Sequence, residues 1–228
     1  MDEKRISRRA ALAFLGGLVA GAAGLAGLRR AEEAGAGPES VSSGLVSCVL
    51  APEQTEGPYY VDDAAVRRNV TEGRAGVPLT LRLTVVKVGN CRPIKGAAVE
   101  IWHCDAEGAY SGTGAEADER FLRGVQRTDA KGVAIFKTLY PGWYQGRTVH
   151  IHTMVHTGGN VVHTGQLYFS DAVTDTVYRR SPYSGRPSRT TRNAQDSIYR
   201  NGGRRSTLKL ARSGSAYVGA ITMGVQRS

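Results

Sequence analysis

The sequence predicts an all-β fold: a β-sandwich of mainly antiparallel strands with long loops, preceded by an export signal and a linker. Three observations carry that expectation. Short runs of alternating apolar and polar residues recur at 79–88, 97–103, 133–138, 149–155, 161–168 and 217–225. Turn-forming clusters separate them, among them Gly89-Asn90, Asp129-Ala130-Lys131-Gly132 and Gly158-Gly159-Asn160. Beyond residue 44 no long stretch repeats its apolar residues at the helical period. Several short strands joined by glycine-rich turns bury their apolar faces most economically as two packed sheets.

Taken in order, residues 1–37 read as a twin-arginine signal peptide and the start of a linker. Ser7-Arg8-Arg9 precedes an Ala/Gly/Leu-rich run that ends at Leu28. Such a weakly apolar, small-residue run suits export better than a permanent span, so no stable membrane span is expected afterwards. The destination is extracellular, periplasmic or cell-wall-associated. Residues 35–44, rich in Gly, Ser and Pro, form the linker. Residues 38–228 are long enough for one domain with a sizeable core.

Net charge is +10, but the excess is local. Residues 38–178 hold thirteen Lys/Arg against fifteen Asp/Glu, whereas 179–228 hold eleven against Asp196 alone. A polyanion surface is one reading; a solvated arginine-rich loop around SGRPSRTTRN is the simpler one. No nucleic-acid motif accompanies the charge, so no nucleic-acid partner is expected. The cysteines are Cys48, Cys91 and Cys104. An oxidising destination allows one disulfide. Cys91 precedes a turn and Cys104 closes the following strand, which places them far apart and favours Cys48 as one partner, the other staying open.

The chemistry concentrates in PGWYQGRTVHIH, residues 141–152. Strand alternation puts Val149, Ile151, Thr153 and Val155 on one face and His150, His152, Met154 and His156 on the other. Histidines two apart on a strand lie about 6 to 7 Å apart, close enough to converge on one metal ion, whereas His156 is about 13 Å beyond His152. No cysteine or carboxylate stands beside the pair in sequence. The nearest further donors are phenols, Tyr144 and Tyr110. Phenolate is a hard anionic ligand, and two phenolates with one hydroxide balance the three charges of Fe(III).

These residues resemble the intradiol ring-cleavage dioxygenases, on EGPYY (56–60), VEIWHCDAEGAYSG (99–112), RGVQRTDAKGVAIFKTLYPGWYQGRTVHIH (123–152) and GQLYF (165–169). The wording is most similar to the secreted branch, which lacks a helical dimerisation domain. The resemblance implies that Tyr110, Tyr144, His150 and His152 ligate a non-haem Fe(III). It implies that Tyr144 leaves the iron to take a substrate proton, that Arg147 stabilises anionic charge, and that Gln166 lies near the same pocket. Tyr59 and Tyr60 would stand near its mouth, while Tyr140 is a packing aromatic. The implied partners are a catechol-type diol and O2, cleaved to a cis,cis-muconate-type dicarboxylic acid. The alternatives are a secreted β-sandwich that binds iron or aromatics without turnover, and a transthyretin-like carrier or wall module without iron.

Overall fold

The computed structural model describes residues 50–226. The expected export signal, the expected linker and Cys48 therefore lie outside the described residues. Eight strands run in order: β1 (Pro78–Lys87), β2 (Ala98–Trp102), β3 (Arg123–Arg127), β4 (Val133–Leu139), β5 (His150–Thr157), β6 (Asn160–Tyr168), β7 (Lys209–Ser213) and β8 (Ala216–Val225). They form two four-stranded sheets, ordered β4-β1-β8-β7 and β3-β2-β5-β6. Every neighbouring pair is antiparallel except β1 with β8. The result is the expected all-β sandwich. Two short helices, α1 (Asp171–Val177) and α2 (Ser197–Arg200), lie between β6 and β7.

Alternation along the strands builds the core. Leu79, Leu81, Leu83 and Val85 of β1 and Phe136 of β4 pack in one cluster with Val99 and Ile101 of β2 and Ile151 and Val155 of β5. Truncating one such side chain to alanine costs about 2–5 kcal/mol through lost transfer energy and the cavity left behind. Six strands fall where the alternation places them. The runs RGVQR and KLARS, which carry little alternation, are also strands, β3 and β7. Both are outer strands of their sheets: β3 is covered by backbone pairing of Val125 with Ala65 and Arg67, whereas β7 keeps Lys209 and Arg212 exposed, charges that deter pairing with another chain.

Most of the SGRPSRTTRN loop is exposed, as expected, but two of its arginines are packed. Arg189 is buried between Asp171 and Asp175. Arg186 stacks its guanidinium 4.8 Å from the Trp143 ring centre and donates to the Ala106 carbonyl at 3.0 Å. Packing and pairing account for these two, while Arg192 and the later cations among the described residues stay exposed. Cys91 is disulfide-bonded, and Cys104 is free and buried. No described helix is long and apolar enough to cross a membrane.

Candidate active site

Because Ile151 and Val155 face the core, His150, His152 and Met154 face the other way, onto the outer surface of the β3-β2-β5-β6 sheet. The register places Arg123, Trp102, His152 and Gln166 in one row across its four strands. This row is the floor of the site. A strap spanning residues 54–66 covers it, crossing from β6 to β3. Gln54 Oε1 accepts from the Gln166 amide at 3.2 Å, and Gln54 Nε2 donates to the Ile198 carbonyl at 2.9 Å. The strap then passes His152 at Gly57, whose φ is +74°. A Cβ there would stand 3.2 Å from His152 Cε1, so any other residue would strain the backbone and crowd the imidazole. Tyr60 lies over Trp102, and Ala65 and Arg67 pair their backbones with Val125.

Two loops bring the phenols in. Asp105, buried, accepts from the Glu107 and Ala109 amides at 2.9 Å and pairs with Arg74, which folds the turn leading to Tyr110. The same residue's carbonyl accepts from the Gly142 amide at 2.9 Å, docking that turn on the Pro141-Gly142 turn before Tyr144. Any side chain at 142 would strike the Asp105 and Ala106 carbonyls. The two loops are therefore docked against each other.

The four candidate donors converge. Tyr144 Oη is 3.2 Å from His150 Nε2, which is 3.0 Å from His152 Nε2. His150 Nδ1 lies 2.7 Å from the Thr148 carbonyl, so Nδ1 carries the proton and Nε2 presents its lone pair to the centre. The Tyr110 ring lies 5.7 Å from that of Tyr144 and 6.2 Å from that of His152. Its hydroxyl is buried and makes no hydrogen bond. Tyr59 stacks on Tyr110 at 4.3 Å and meets Tyr144 edge-on at 5.7 Å.

Electrostatics keep this cluster neutral. Burial, then the Arg147 cation, lowers the His150 pKa to about 3. Burial and His150 hold His152 well below its ordinary value. Burial raises Tyr144 to about 12, against the opposing pull of Arg147, and lifts Tyr110 well above its usual range. Two neutral imidazole nitrogens facing each other, an unpartnered buried hydroxyl and a second phenol make a set of donors that lacks an acceptor. A cation fits here, and a hard, highly charged one would favour ionising both phenols most strongly. Among the described residues no cluster of three or more His, Cys, Asp or Glu offers a rival site.

Arg147 borders the centre. Its Nη1 lies 3.4 Å from His150 Nε2, Nη2 donates to Gln166 Oε1 at 2.5 Å, and Nε donates to Asp196 Oδ2 at 2.8 Å. Gln166 is itself fixed by donating to the Thr55 carbonyl at 3.0 Å and accepting from the Tyr168 hydroxyl at 3.0 Å. The structure thus gathers Tyr110, Tyr144, His150, His152, Arg147, Gln166 and Tyr59. It sets Tyr60 one layer out, on Trp102, with its hydroxyl 3.5 Å from Asp62. His156 turns away toward Glu100 at 3.6 Å. Sequence reasoning missed Trp102, which stacks on His152 at 4.9 Å, as well as Arg123 and Asp196. For Asp196 a signal existed, since it is the one acid among eleven cations in residues 179–228.

A β-sandwich with two tyrosines and a His-x-His pair on an outer sheet face defines a class of metal-site oxidoreductase candidates. The dioxygenase family model matches residues 55–178. A structure of an intradiol ring-cleavage dioxygenase from Tetranychus urticae is 35% identical, with a TM-score of 0.74, over 78% of this chain and 95% of that one. The dioxygenase domain of a carbohydrate-binding fusion from Streptomyces sp. SirexAA-E is 30% identical, with a TM-score of 0.62, over 79% of this chain and all of that one. Catechol 1,2-dioxygenase 1 of Acinetobacter lwoffii is 37% identical over 122 residues, 48% of this chain and 38% of that protein. The chain belongs to the intradiol ring-cleavage dioxygenase family. It spans about four-tenths to half of the length of the curated relatives it matches.

Proposed function

We propose that this chain is an exported, non-haem Fe(III)-dependent enzyme that cleaves a catechol-type diol between its hydroxylated carbons, using O2, to a cis,cis-muconate-type dicarboxylic acid. The observation that carries the reading is the convergence of Tyr144, His150 and His152 beside the unpartnered, buried Tyr110 hydroxyl. Relatives named for catechol and chlorocatechol support the substrate class. Both oxygen atoms enter the product, so the reaction needs no external reductant.

Tyr110, Tyr144, His150 and His152 would hold the iron. When bound, ferric iron supplies the Lewis acidity that ionises the phenols and the diol, and the electronic access that lets an aromatic diolate react with O2. The protein's own residues divide the remaining work. Tyr110 is pinned under Tyr59 and fully buried, so it stays in place. Tyr144 is partly exposed, and its Oη is the group free to accept a proton from the incoming diol. Arg147, held from two sides by Asp196 and Gln166, keeps a fixed positive charge toward the centre, where anionic character grows. The strap and Trp102 exclude water from the floor.

The test is iron content, visible colour and oxygen uptake over catechol, chlorocatechols, protocatechuate and hydroxyquinol. Expected are about one iron per chain, a phenolate-to-iron absorption band and uptake matched by formation of the ring-opened diacid. His150→Ala and His152→Ala should lose iron and colour together, because no other neutral donor stands in reach. An iron-loaded, coloured protein that binds every diol without consuming O2 would make it the non-catalytic binder instead.

A further inference from the structure

Arg123 begins an edge strand, where its side chain could reach water, yet it is 2% exposed. No carboxylate stands within ion-pair distance of it among the described residues. Its hydrogen bonds go to carbonyl groups and one hydroxyl. Nε donates to the Ser111 carbonyl and hydroxyl, both at 3.0 Å, and Nη2 donates to the Ser111 carbonyl at 2.5 Å and the Tyr59 carbonyl at 2.6 Å. Burying a guanidinium is costly; Asp63 and Glu100, beyond ion-pair distance, offset part of that cost, and Arg120 adds to it. A brace alone would not require a charge. The two carbonyls it grips belong to Tyr59 and to the residue after Tyr110, the rings stacked at 4.3 Å and 12°. Arg123 also shares the sheet row with Trp102 and His152.

We propose that Arg123 is a positioning residue of the site: its fork clamps the strap to the Tyr110 loop, and its charge stands beside Tyr110 as the fixed counterpart of the anion that ring becomes. The inference rests on the iron reading above, but the two parts separate. The fork acts on geometry whether or not metal is bound. The charge acts on the coordinated phenolate by stabilising its donor electrons.

The experiment compares the full chain with Arg123→Lys and Arg123→Gln. In metal-free protein, limited proteolysis should cut within residues 54–66 several-fold faster in both variants, since neither has the planar fork. In iron-loaded protein, Arg123→Gln should move the phenolate band to longer wavelength, whereas Arg123→Lys, which keeps the charge, should stay near the parent position. KM for the diol should rise on the order of tenfold in both, with a smaller change in kcat, as a loosened wall predicts. If both variants keep the parent band and the parent protease resistance of the strap, Arg123 is only a packed side chain and the proposal fails. If the parent itself takes up no iron, the functional reading fails, and the proteolysis result alone decides the clamp. Should Arg123→Gln not fold, the Lys variant with weakened strap protection and an unshifted band still supports the proposal, and with full protection overturns it.

Discussion

Glu100 stands two residues before Trp102 on β2 and is 5% exposed. Burial first, and Asp62 second, raise its pKa to about 7, against the opposing effects of Arg123 and Tyr60. A carboxyl whose folded pKa lies above its unfolded value binds more protons when folded. Its favourable contribution is therefore complete below about pH 4.5 and is lost as pH rises toward 7. Above that window the ionised group costs up to about 3 kcal/mol. Glu100→Gln should melt with the parent at pH 4.5 and several degrees above it at pH 8, by paired thermal scans at both pH values. Equal melting at pH 8 would mean that the ionised carboxylate is already well satisfied. The residue was invisible to sequence reasoning because a glutamate in a strand looks solvent-facing until Tyr60, arriving from forty residues upstream, covers it.

At the scale of elements, β5 and α2 differ in how far the sequence revealed them. β5 was legible because period two is strict: once Ile151 and Val155 are taken as core, His150 and His152 must share the outer face. The Asp196 turn was not, because its partner Arg147 is 49 residues away. Asp196 divides its two oxygens. Oδ1 caps α2 by accepting from the Ile198 and Tyr199 amides at 2.8 and 3.0 Å, while Oδ2 accepts from Arg147 and from the Thr148 amide, both at 2.8 Å. Asp196→Asn can keep the cap but loses the charge that aims Arg147, so kcat should fall about tenfold with iron retained. Arg147→Ala should fall by roughly two to three orders of magnitude, also with iron retained. The double variant should lose little more than Arg147→Ala, since both act through one guanidinium. Additive losses in steady-state kinetics would show that Asp196 has a separate role.

For the whole molecule, composition and alternation reached the sandwich and most of its strands but not the two charged edges, nor the strap that closes the site. Edge strands carry little apolar signal, and the strap is held by scattered contacts, among them the Gln166 bonds to Gln54 and Thr55, rather than by a pattern. The N-terminal segment makes a claim of another kind, about address rather than shape. If Ser7-Arg8-Arg9 directs export, exchanging both arginines for lysine should leave folded, iron-loaded protein in the cytoplasm by fractionation and blotting. Unchanged export would refute the twin-arginine reading and leave the fold untouched.

The division of β5 into an inward apolar face and an outward reactive face has a consequence for descent. Substitutions that reshape the pocket, in the strap or on the outer row, fall on the opposite face of the sheet from the core cluster of Leu81, Phe136 and Ile151. Lineages can therefore drift in what they accept while the scaffold stays under one constant selection for packing. Exchange of residues 54–66 between two relatives should carry diol preference with it and leave the melting temperature nearly where the recipient had it. Heredity of preference would then follow thirteen residues that contribute little to the core.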